Sequence, residues 1–148
     1  MKKIIALMSA LLMLFLSGCS VQVDSKTFRI PAEKIDTIEV QREYIDDDGK
    51  TTYRKKVIEN KATIEELCEM VNELDVTRVA NEETPTIVGF PLVVIFRGEK
   101  DHYLIVNKHV VFYDSLAYLY TDSDIYDSFL DYYSELSEKE VDTVLEWG

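Results

Sequence analysis

Basic residues are scarce in this chain of 148 residues: 16 Lys and Arg stand against 28 Asp and Glu, a formal net charge of -12. A phosphate backbone is held by clustered Lys and Arg, so this balance argues against a nucleic-acid partner. Two cysteines are too few for a disulfide framework, and the five glycines form no Gly-rich phosphate loop. Gly-x-Ser-x-Gly, Ser-x-x-Lys and His-Glu-x-x-His are all absent. The two histidines, His102 and His109, would lie on one face of a hairpin roughly 13 Å apart, too far to share one zinc ion. Both read as surface or rim residues. No metal, no cofactor and no enzyme is expected from these residues. The 28 acids make paired carboxylates uninformative, and neither Asp46-Asp47-Asp48-Gly49 nor Asp122, Asp124 and Asp127 fits a calcium loop. Whether that second cluster takes a cation loosely is open.

What is present is an address. Lys2 and Lys3 precede the uncharged, mostly apolar run from Ile4 to Phe15, which is too short to span a bilayer comfortably. Leu16-Ser17-Gly18-Cys19 follows. These four residues resemble the lipobox of bacterial lipoproteins, in which diacylglycerol is joined to the cysteine thiol and the chain is cut just before it. The resemblance implies a signal peptide over 1–18, a lipidated tether over 19–27 and a single domain over 28–148. The mature chain would have 130 residues and a charge of −14, held at the outer face of the bacterial cytoplasmic membrane by lipid on Cys19. Tether residues 20–27 reach at most about 28 Å.

With 47% hydrophobic residues the remainder is a globular domain. Phe28 to Pro31 reads as a short strand, and residues 35–46 and 51–59 flank Asp48-Gly49 as a two-residue hairpin, with Glu43 opposite Arg54 and Val40 opposite Val57. Residues 62–75 read as a helix started by a capping box at Thr63 and Glu66, with Cys68 on its apolar stripe as a buried small hydrophobe. A strand at 76–80 and a loop over 81–89 follow. Strands at 90–97, 102–107, 110–113 and 116–121 are spaced as an antiparallel meander, apolar on both faces, so the sheet should be covered on both sides or meet a partner. From Asp122 the spacing is helical and is expected to run on through Val141, Val144 and Leu145. The fold class is therefore α+β: an antiparallel meander with an N-terminal hairpin, one central helix and a C-terminal helix packed on it.

Between Phe28 and Leu136 the layout, Phe28-x-Ile30-Pro31 followed by Ile35-x-x-Ile38-x-Val40, an amphipathic helix, a valine-rich strand and a Tyr-rich end, is similar to small Gram-positive extracytoplasmic lipoproteins bearing a domain of unknown function. That similarity implies a location and a fold type, not an activity. Seven of the nine tyrosines fall between Tyr103 and Tyr133, and alternation puts Tyr118 and Tyr120 on one strand face. They are the candidate stacking surface for a protein or cell-wall partner; otherwise they roof the core beneath the last helix. The leading functional reading is a non-enzymatic, membrane-anchored binding domain. A small envelope-polymer hydrolase and a structural or stress-related lipoprotein are the alternatives.

Overall fold

The computed structural model describes residues 28–79, 85–87, 89–120, 122 and 124–145. Residues 16–19, which resemble a lipobox, and the expected tether over 19–27 lie outside them. Strands β1 (Ile35–Ile45), β2 (Thr51–Ile58), β3 (Val76–Arg78), β4 (Leu92–Gly98), β5 (His102–Val106), β6 (Val110–Tyr113), β7 (Leu116–Tyr120) and β8 (Val141–Thr143) form one antiparallel sheet, ordered β3-β7-β6-β5-β4-β1-β2-β8. Helices α1 (Lys61–Asn72) and α2 (Ile125–Glu135) complete an α+β domain.

The meander β4-β5-β6-β7 follows from three short connections. Asp114 and Ser115, with φ of 44° and 71°, turn β6 into β7. An aspartate tolerates this left-handed backbone, and its side chain is used as well: Oδ1 accepts the Tyr103 amide at 3.0 Å. In the β5–β6 turn the Asn107 amide donates to the Val110 carbonyl and Val106 pairs with Val111, so His109 sits in the turn and not on a strand face with His102.

One sheet face carries Ile38, Val40, Leu92, Val94, Leu104 and Val111, buried against Ile64, Leu67, Cys68 and Val71 of α1 and Phe129 and Tyr133 of α2. Both helices lie on this face. The other carries Val93 and Ile95, fully buried, with Ile105 and Phe112 half-buried and an ionic group of Glu39, Lys55 and Arg97.

Four local expectations are corrected. The first hairpin has a three-residue loop: the Asp46 amide donates to the Lys50 carbonyl, Gly49 alone takes positive φ (75°), and Asp46 Oδ1 accepts from the amides of Asp48 and Lys50. This turn with its left-handed glycine shifts the register by one, so Arg42, not Glu43, faces Arg54 and Val40 faces Lys56. Helix α1 is capped by Asn60, whose Oδ1 accepts from Ala62 and Thr63, rather than by Thr63. Residues 28–31 are extended but unpaired with the sheet, and a single 3-10 turn over Ala32–Lys34 follows. The C-terminal helix stops at Glu135, and Val141–Thr143 pairs with β2 as an edge strand.

Candidate functional site

Tyr118 and Tyr120 do not form a surface. They are 5% and 8% exposed, on the sheet face that receives the helices. Tyr118 meets the Phe28 ring edge-on at 5.1 Å, and Tyr120 donates its hydroxyl to the Asn107 carbonyl. Alternation places them together, but on the inward face. Among the described residues no three His, Cys, Asp or Glu side chains are grouped to hold a metal ion. At Asp122, one carboxylate oxygen accepts the Asp124 amide at the start of α2.

His102 is drawn inward. Its Nδ1 lies 3.0 Å from Asp114 Oδ2 and 2.9 Å from the Tyr113 hydroxyl, and its ring stacks on Tyr113. Either Nδ1–H donates to the carboxylate or a bare Nδ1 accepts from the phenol. A base-and-orienter pair for hydrolysis would also need a nucleophile on Nε2, and no described residue is bonded there. Cys68 is buried on α1. Burial first, and the Glu33 charge second, push its thiol up to about 11, so it stays protonated at neutral pH.

Among the described residues, a groove of about 830 Å³ lies between residues 28–33 and α1, a volume within the usual range for ligand sites. Its first wall is fixed from inside. Phe28 is wedged between Tyr113, with centroids 4.8 Å apart, and Tyr118; Ile30 is buried. Asn72 of α1 then grips the Ile30 backbone twice: the Ile30 amide donates to Oδ1 at 2.8 Å, and Nδ2 donates to the Ile30 carbonyl at 3.0 Å. An asparagine amide thus replaces the neighbouring strand that residues 28–31 lack.

The second wall is the outer face of α1. Glu65, Glu69 and Glu73 follow one another at four-residue spacing, with Cys68 and Asn72 on the adjoining row and Glu33 across the groove. Four carboxylates face one cation, Arg29. Among the described residues these four carboxylates make no ion pair and no side-chain hydrogen bond. Like charges at this spacing cost a helix a few tenths of a kcal/mol per pair. The helix also lacks an acid in its first turn and a base in its last, so its charges do not compensate the macrodipole. Helix stability does not account for the glutamate row.

The sequence shows Glu65, Glu69 and Glu73 at four-residue spacing, but the opposing wall comes from residues some forty positions earlier. Comparison with protein-family models, with curated proteins and with solved structures finds no match to this chain.

Proposed function

We propose that the chain is a lipid-anchored extracytoplasmic lipoprotein whose domain is a non-enzymatic binding module, with the groove between residues 28–33 and α1 as its binding surface. The observation that carries the reading is Leu16-Ser17-Gly18-Cys19 placed directly after a basic start and a short apolar run. Eight residues separate Cys19 from Phe28, so nine chain steps keep the groove wall within about 32 Å of the anchoring residue. The described residues contain no helix long and apolar enough to cross a membrane, and the proposed attachment requires none. The non-enzymatic part is supported by how the reactive groups are used: the Cys68 thiol is buried and protonated, and His102 Nδ1 is shared by Asp114 and Tyr113.

Membrane fractionation of cells making wild-type or Cys19→Ala chain tests the anchor. The wild type is expected in the membrane fraction, and the variant is expected to remain at precursor length without lipid. A variant that is trimmed and membrane-bound like the wild type would overturn the reading.

A further inference from the structure

We propose that the groove between residues 28–33 and α1 takes a short cationic, amphipathic peptide segment, with lysine or arginine side chains alternating with apolar ones; this rests on the binding-module reading above.

The volume, about 830 Å³, suits a few peptide residues rather than a bare ion or a globular partner. The charge is specific in sign. Glu33 on one side and Glu65, Glu69 and Glu73 on the other leave the groove with three negative charges after Arg29 is counted. A cationic occupant relieves the repulsion along α1 that nothing among the described residues relieves. Between the carboxylates the lining is apolar: Pro31 and Ala32 are half-buried at the wall, with Phe28, Ile30 and Cys68 beneath. A purely polar cation would leave the open parts of Pro31 and Ala32 against water, whereas apolar side chains of a peptide cover them. The Ile30 amide and carbonyl are both held by Asn72, so the wall offers side chains and not a free strand edge. Recognition therefore comes from charge and apolar contact rather than from added strand pairing.

Location selects the same class. Cationic amphipathic peptides collect at anionic lipid surfaces. A groove held near such a surface meets them at raised local concentration, and its own charge favours their capture over that of anionic lipid headgroups.

The test uses full-length chain extracted from membranes in detergent, and the full-length Cys19→Ala chain. The probes are a dye-labelled peptide of alternating lysine and leucine, about six residues long, and its glutamate and leucine counterpart. Fluorescence anisotropy should show binding of the lysine peptide and none of the glutamate peptide. Affinity should fall about tenfold or more in Glu65→Lys/Glu69→Lys, and likewise when salt is raised from about 0.05 M to about 0.5 M. Glu65→Gln/Glu69→Gln, which introduces no new charge, should give an intermediate loss. Asp47→Lys/Asp48→Lys, at the distant first hairpin, should bind as the wild type does. Equal binding of both peptides, an unchanged affinity in the α1 variants, or an equal loss in the hairpin variant would each overturn the proposal. If the lysine peptide is bound while the wild-type and Cys19→Ala chains are trimmed and fractionate alike, the anchor reading fails and the groove assignment stands.

Discussion

Arg42 and Arg54 stand directly opposite each other across β1 and β2, and the carboxylate of Glu140 lies between them, 3.0 Å from Arg42 Nη2 and 3.3 Å from Arg54 Nη1. Two guanidinium groups paired across a sheet repel one another. Glu140 turns that repulsion into a fastening for the C-terminal segment, and Tyr133 of α2 donates its hydroxyl to the same carboxylate at 2.7 Å. Glu140→Gln keeps the shape and removes the charge. It should cost about 2 kcal/mol, read as a lower urea midpoint with an unchanged slope.

Stability should also fall in acid, with a sign set by two carboxylates. Burial alone would raise Glu140, but the hydrogen bond from Tyr133, the charge of Arg42 and the hydrogen bonds from Arg54 and Arg42 outweigh it and hold it below its ordinary 4.5. Glu39 is lowered in the same way: burial is overcome by Lys55 and Arg97. A carboxylate depressed in the folded state contributes stability that is present above its unfolded value and lost as pH falls through the folded one. Unfolding free energy should therefore be level between about pH 7 and 5 and decline below about 4.5. In Glu39→Gln/Glu140→Gln that decline should be shallower, as measured by urea unfolding across the same range.

Lys56 supplies from β2 what the end of α2 lacks in its own sequence. No basic residue occupies the last turn of α2, yet Lys56 Nζ donates to the carbonyls of Tyr133, at 2.8 Å, and Leu136, at 2.6 Å. These are carbonyls a helix terminus leaves without intrahelical partners. Lys56→Met should cost about 2 kcal/mol. Amide exchange should quicken first in the last turn of α2, with the meander still protected.

Removing the side chain that holds the groove wall should loosen the wall before the domain. Asn72→Ala deletes both bonds to Ile30, a loss of about 1–3 kcal/mol. Arg29 is exposed just before Ile30, so trypsin should cut there several times faster than in the wild type while helix content is unchanged.

The meander, the central helix and the inward Cys68 are legible because period and turn spacing are local properties. The exceptions lie where a tertiary partner decides. Both faces of β7 are apolar enough to face inward, so alternation alone could not say which way Tyr118 and Tyr120 turn. Ser137-Glu138-Lys139-Glu140 favours helix locally, yet Glu140 is drawn to two arginines on β1 and β2, and the following residues pair with β2. Asp48-Gly49 marks the correct hairpin, but Asp46 anchors a longer loop, and a slip of one residue moves Arg54 to the helix side. The groove was hidden for the same reason: its walls are joined by Asn72 and Ile30, distant in sequence and without a shared motif.

The central claim, that this acidic domain is held by lipid on Cys19, is tested most directly by the intact mass of the protein purified from membranes. That mass should match a chain that begins at Cys19, has 130 residues and carries diacylglycerol on its thiol. A membrane-derived chain with a free thiol at Cys19, or one that retains Met1, would contradict it.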